Sequence, residues 1–196
     1  MNKLMGFFEL KSIDLPSVQW KEYLGTESLD PDILWTVRSA VFHGDDLNLP
    51  RAVGVTAQEA TTFAEMLRSR LKDIGMVIYY PYFIANKSGT LNVYRDRIII
   101  EAVPNDLWNL VTYSDRAVTY ELSENGIKAD GDRAFLTDSE LKQITDRVPV
   151  IRRTFQDDLL TDKSILLEWS LAQKSNIAKK PVGEEFLIFY ELRTIK

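Results

Sequence analysis

From Met76 to about Leu122 the sequence strings together short apolar runs separated by polar turns, with no helical period between them. Met76–Ala85 is rich in Val, Ile and aromatic residues, and Asn86-Lys87-Ser88-Gly89 reads as a tight turn. Leu91–Tyr94, Arg97–Val103, Asn109–Tyr113 and Ala117–Leu122 follow as further strands. Strands that succeed one another without crossover helices pair antiparallel, which argues against a doubly wound parallel sheet. The expected class is therefore α+β, an antiparallel sheet with a few packed helices. With 196 residues, 45% hydrophobic and 27% charged, the chain has enough apolar material for a buried core. No repeat or linker divides it, so residues 1–196 read as a single domain.

Two helices stand out. Ala60, Phe63, Ala64, Leu67, Leu71 and Ile74 recur at helical spacing over Ala57–Ile74. Thr56 with Glu59 forms a capping box, and Gly75 stands at the expected C-terminal cap. Arg68, Arg70 and Lys72 fall on the wet face. The second helix starts at Thr137 with Glu140 as its box partner, and Pro149 should kink or divide it. Ahead of these, the pattern suggests a short strand near Gly6–Leu10, a helix or turn around Ser17–Leu24, a strand at Leu34–Phe42 and a loop over 43–55. Residues 123–136 read as a polar hairpin or loop, and Ser164–Ala172 and Glu185–Thr194 as closing strands.

Several of these strands carry a single charge. Leu34–Phe42 has Arg38 at its centre, followed by the polar Gly44-Asp45-Asp46 loop. Glu101 interrupts Ile98–Val103, Glu168 interrupts Ile165–Ala172, and the last strand carries Glu191 and Arg193 two residues apart on one face. A guanidinium inside a buried strand needs an anion. Three arrangements provide one. Each charge can mark the solvated face of a half-buried strand. Arg38 can pair internally with Glu101 or Glu191. Alternatively, the carboxylates hold Mg²⁺ while the arginines neutralise phosphate charge. No Walker-type glycine loop with its lysine is present.

The order of these segments resembles the ATP-grasp nucleotide-binding domain of the phosphoenolpyruvate synthase and pyruvate phosphate dikinase family over residues 34–196. Val37-Arg38-Ser39-Ala40 followed by Asp45-Asp46-Leu47 is similar to its Val-Arg-Ser-Ser strand and acidic loop. Val77–Ala85 with Ser88-Gly89 is similar to its hinge. Ile100-Glu101-Ala102 with Leu110-Val111, then Leu167-Glu168-Trp169 and Tyr190-Glu191-Leu192-Arg193, stand in for its later motifs. The resemblance implies an ATP-grasp-like fold with ATP and Mg²⁺ as cofactors. Within it, Arg38 would contact phosphate, and Tyr80 and Tyr82 on the hinge strand would lie against adenine. Glu101 would make a ribose or hinge-side contact, and Glu168 with Glu191 would bind the metal. Arg193 would stabilise the transferring phosphoryl group. The family's lid lysine has no counterpart, since Lys3, Lys11 and Lys21 lie in no such motif. Tyr80 stands where the family has a hinge glutamine.

Composition removes other classes. With no cysteine, thiolate metal sites, disulfides and cysteine nucleophiles are excluded, and the single His43 excludes a multi-histidine metal site. His43 itself reads as a surface or capping residue. No run approaches the roughly 18 apolar residues of a membrane span, so a cytoplasmic protein without a membrane is expected. A net charge of -5 makes a nucleic-acid partner unlikely, even with Tyr79, Tyr80, Tyr82 and Trp108 as stacking platforms. Two functions remain. One is an Mg²⁺–ATP-binding protein that passes a phosphoryl group to an unknown acceptor or partner protein. The other is a degenerate, non-catalytic scaffold whose strand-borne charges form salt bridges.

Overall fold

A computed structural model of the chain describes residues 3–43, 49–107 and 116–196. The expected Asp45-Asp46-Leu47 loop, the Asn109–Tyr113 strand, Leu110-Val111 and Trp108 lie outside these residues. The strands form two antiparallel sheets in an α+β arrangement. The smaller contains β1 (Lys21–Glu22), β2 (Trp35–Val41), β3 (Arg51–Val55) and β4 (Gly75–Pro81) in the order β1-β4-β2-β3. The larger contains β5 (Phe83–Val93), β6 (Arg97–Pro104), β7 (Val118–Ser123), β8 (Gly126–Gly131), β9 (Ser164–Ser175) and β10 (Pro181–Ile195), ordered β10-β9-β5-β6-β7-β8.

The chain passes from the small sheet to the large one at Tyr82, whose backbone N–H donates to the Leu34 carbonyl at 2.8 Å. The run expected as one strand over Met76–Ala85 is therefore two strands in different sheets. The tight turn expected at 86–89 is instead the interior of β5. Gly89 pairs there with Ala102 on one side and Trp169 on the other. A Cβ on Gly89 would lie 1.9 Å from the Glu101 carbonyl oxygen and 2.6 Å from the Trp169 ring. That glycine serves close packing within a strand, not a turn. The pairing of β5 with β9 shifts register between Ala85 and Lys87.

The N-terminal strand is also corrected. Residues Lys3–Ser12 form helix α1, whose Leu4, Phe7 and Leu10 recur at helical spacing and are buried. Burial of each is worth about 1.5–3 kcal/mol. Gly6 lets α1 lie against β10, because a Cβ there would sit 2.0 Å from the Leu192 carbonyl oxygen. The expected helix or turn near Ser17–Leu24 is extended backbone containing β1. The 43–55 segment ends in the strand β3 rather than in loop alone.

Helix α2 (Ala57–Leu71) begins with the expected Thr56–Glu59 capping box. It ends at Lys72, and Gly75 opens β4. Helix α3 (Asp138–Thr145) has the Thr137–Glu140 box. Pro149 lies in the first turn of α4 (Val148–Thr154), where a missing N–H costs nothing, and α5 (Gln156–Leu160) follows.

The period-2 pattern of the large sheet separates its faces. Leu91, Ile100, Tyr120, Leu167, Trp169 and Phe189 pack with Ile144, Ile151 and Phe155 of the helices. On the small sheet, Val37, Val77 and Tyr79 pack against α2. Its other side, with Ala40, Ile78 and Tyr80, packs against α1 and against Phe83, Ile188 and Tyr190 of the large sheet. The second face of β9 and β10 thus meets the small sheet, and the charged residues converge at that junction.

Candidate functional site

Pairing places the strand-borne carboxylates in one line. Glu101 on β6 is opposite Thr90 on β5, Thr90 is opposite Glu168 on β9, and Glu168 is opposite Glu191 on β10. All four lie on the face away from α3, α4 and α5. An extra residue, Tyr190, lies at a register shift between Phe189 and Glu191. This bulge turns both Tyr190 and Glu191 toward the small sheet.

Arg38 reaches across from β2. Its Nη2 donates to Glu191 Oε2 at 3.0 Å, and Arg193 Nε donates to Glu191 Oε1 at 2.7 Å. One carboxylate thus holds two guanidinium groups. The Arg38 side chain is 11% exposed and that of Glu191 4%, whereas Arg193 keeps 26% of its surface in contact with solvent. The Phe7 ring lies 5.1 Å from the Arg38 guanidinium carbon, in the range of a cation–π contact.

The electrostatics follow from this packing. Burial opposes the Arg38 charge, but Tyr80, Glu191 and Glu168 outweigh it and hold the guanidinium above its ordinary pKa. Burial pushes the Tyr80 phenol up, while Arg38 partly offsets that rise. Burial and the charge of Glu168 push the Tyr190 phenol well above its ordinary value. The two arginines and two glutamates are charge-balanced at the junction. A buried set of this kind holds together only because each member has a partner.

Five of the seven residues singled out in the sequence therefore meet: Arg38, Tyr80, Glu168, Glu191 and Arg193. Of the two internal partners expected for Arg38, Glu191 is its hydrogen-bonded salt-bridge partner. Glu101 lies farther along the sheet, where it accepts from Arg116 at 3.1 Å and from Thr90 at 3.3 Å. Tyr82 stands at the crossover, half-buried, with its phenol raised by burial and by Asp106. Tyr79 faces the α2 side of the small sheet, opposite to Tyr80, so the three tyrosines form no single platform. His43 is exposed.

Sequence reading gave no role to two contributors, Phe7 and Tyr190. Phe7 lies in α1, over part of which the sequence suggests a strand. Tyr190 is directed by a bulge, which no periodicity reveals.

Among the described residues no group of three metal-ligating side chains exists. Both oxygens of Glu191 already accept from arginines. The donors do not fit a cation cage built by protein alone.

No protein-family model and no curated protein matches this sequence. Among solved structures the chain is similar to the Ca. Korarchaeum cryptofilum dinucleotide forming acetyl-coenzyme A synthetase 1, determined in complex with coenzyme A, Ca-AMPCP and HgCl⁺. The TM-score is 0.49 at 10% sequence identity, covering 100% of this chain and 92% of that one. No described helix is long and apolar enough to cross a membrane.

Proposed function

We propose that the junction of the two sheets binds the phosphates of a nucleotide, with Arg193 as the contacting cation. The observation that carries this reading is the convergence of Arg38, Glu168, Glu191 and Arg193 from three strands of two sheets. The motif order that resembles the phosphoenolpyruvate synthase and pyruvate phosphate dikinase family supports it. Arg193 is the more exposed guanidinium and can exchange part of its contact with Glu191 for a phosphate oxygen. Arg38, sealed by Phe7, Tyr80 and Glu191, acts through its charge and holds Glu191 in place. Glu191 orients the arginines, a role different from the metal ligation implied by the resemblance. Glu168 would hold a divalent cation arriving with the nucleotide, which would neutralise phosphate charge. Tyr82 and Glu101 would contact the nucleoside, and transfer to an acceptor would depend on Arg193.

The test is a thermal-shift titration with ATP, with and without Mg²⁺, on wild type and Arg193→Ala. Ligand at a hundred times its Kd adds about 2.7 kcal/mol of stability, enough for a shift of several degrees. A shift in wild type that is absent in Arg193→Ala supports the reading; no shift in wild type at millimolar ATP overturns it.

One observation favours a second reading, a non-catalytic scaffold. Both guanidinium groups already share Glu191, so the charges are satisfied without a ligand. That reading expects Arg193→Ala to lower stability while nucleotide changes nothing in either protein.

A further inference from the structure

The large sheet ends at β8, and among the described residues no strand pairs with its outer side. All of its residues, Gly126–Gly131, are exposed, and Ile127 keeps 48% of its surface in solvent. The opposite edge of the sheet is covered. On β10 the Phe189 N–H donates to the Pro16 carbonyl at 2.7 Å, and the Val18 N–H donates to the Phe189 carbonyl at 3.0 Å. A bare edge strand presents unpaired backbone groups to another chain. Which groups those are follows from the ladder. Just past the strand the Asp132 N–H donates to the Ala117 carbonyl at 2.9 Å, so the even-numbered residues of β8 turn their backbone groups toward β7. The backbone groups of Ile127 and Ala129 therefore point outward.

We propose that β8 pairs with β8 of a second copy of this chain, antiparallel about Ala129, and extends the large sheet across a two-fold axis. Charge selects that register. Outward-facing residues must meet outward-facing ones, so the pairing can centre only on a residue, not between two. Centring on Lys128 sets that lysine against its own copy, and centring on Asp130 does the same to the carboxylate; like charges directly opposite repel. Centring on Ile127 brings Asp130 toward Glu124 of the turn. Centring on Ala129 places Lys128 opposite Asp130 of the second copy, twice by symmetry. Those are the positions at which the two strands exchange no hydrogen bonds and side chains come closest. Ile127 then meets Gly131, which has no side chain to obstruct it. The Asp130 side chain is 83% exposed with Arg116 Nη2 at 3.5 Å, which leaves the carboxylate room for a second cation. One short strand buries less than the roughly 1,000 Å² of a stable interface, so the dimer is weak. The pairing is independent of the nucleotide reading above.

Sedimentation velocity on the full chain, from about 10 μM to about 1 mM, reads the dimer as a rise in sedimentation coefficient with concentration. Wild type is expected to dimerise within that range. Lys128→Asp and Asp130→Lys each turn both cross-strand pairs into like-charge pairs and should weaken association about tenfold. The double reversal restores opposite charges across the axis and should recover the wild-type dimer. Ala129→Pro removes an outward N–H that β7 does not use, so its circular dichroism should match wild type while the dimer is lost. A wild type that stays monomeric at about 1 mM overturns the inference. So does a dimer that persists at wild-type strength in Ala129→Pro, or a double reversal that associates no better than the single ones. Should Ala129→Pro fail to fold, the three charge variants, all at exposed positions, decide the matter.

Discussion

Arg38 and Glu191 are 153 positions apart in the sequence and 3.0 Å apart at Nη2 and Oε2, and their ion pair joins the small sheet to the large one. Its position explains why a charge is tolerated at the centre of β2. Desolvation of the guanidinium is offset only because Glu191, Tyr80 and Glu168 all face it. Arg193, two residues beyond Glu191, draws on the same carboxylate from the solvent side. The arrangement is directional: Arg38 is sealed in the junction, and Arg193 is the guanidinium that reaches solvent.

Removing the shared carboxylate should therefore cost more than removing either arginine. Glu191→Ala leaves two cations at the junction without their bonded anion, and breaking a buried pair this way costs about 3–5 kcal/mol. Urea denaturation measures it. The double change Arg38→Met with Glu191→Leu should recover part of that loss, since it replaces the buried pair by apolar groups and leaves only Arg193 without its anion. A loss under about 1 kcal/mol for Glu191→Ala, the range of an exposed pair, would contradict the buried-junction account.

The charges themselves were legible because each interrupts an apolar strand, and alternation put Glu191 and Arg193 on one face. Their partners were not legible. Which strand lies beside β9, and which sheet faces β10, are decided by packing between segments far apart in sequence. Tyr82 illustrates the limit: nothing local distinguishes a residue inside a strand from one that passes between two sheets. Gly89 invited a turn reading because glycine after serine often makes one, whereas here it makes room for Trp169. Helix α1 was misread as a strand because its Phe7-Phe8 pair favours β structure locally. Docking on β10 selects the helix.

That docking gives a second prediction. Gly6→Ala places a methyl group 2.0 Å from the Leu192 carbonyl oxygen, backbone against backbone, with no flexible side chain to yield. Overpacking of this kind costs about 1–3 kcal/mol, even though alanine is the better helix former. Chemical denaturation should show destabilisation, and α1 should exchange its amide hydrogens faster than in wild type. A stabilised Gly6→Ala protein would mean that α1 does not lie on β10.

The Arg116–Glu101 pair provides a contrast. Its side chains are 48% and 30% exposed, and the Nη1–Oε1 distance of 3.1 Å is close to that of Arg38–Glu191. Equal geometry with unequal burial should give unequal energies. Arg116→Ala is expected to change stability by about 0–1 kcal/mol, less still in high salt. A double-mutant cycle with Glu101→Ala measures the coupling directly. A coupling near that of the buried pair would show that geometry, not desolvation, governs these bridges.

Acid should weaken the contact between α3 and β5. Burial favours protonation of Glu140, but Lys87, at 2.7 and 2.8 Å, and the Thr137 N–H and hydroxyl outweigh it and pull the carboxyl below its ordinary value of 4.5. Glu27, pulled down by the N–H groups of Leu24, Gly25 and Thr26 despite partial burial, titrates in the same direction. A carboxyl whose folded pKa is depressed contributes its full stability above the unfolded value, and that contribution disappears as pH falls through the folded one. Melting temperature should thus be flat near neutrality and fall below about pH 4.5. Lys87→Met removes the bidentate partner of Glu140, so it should lower stability at pH 7 and make the acid-side fall shallower. Parallel curves for wild type and Lys87→Met would mean that this bridge does not set the acid response.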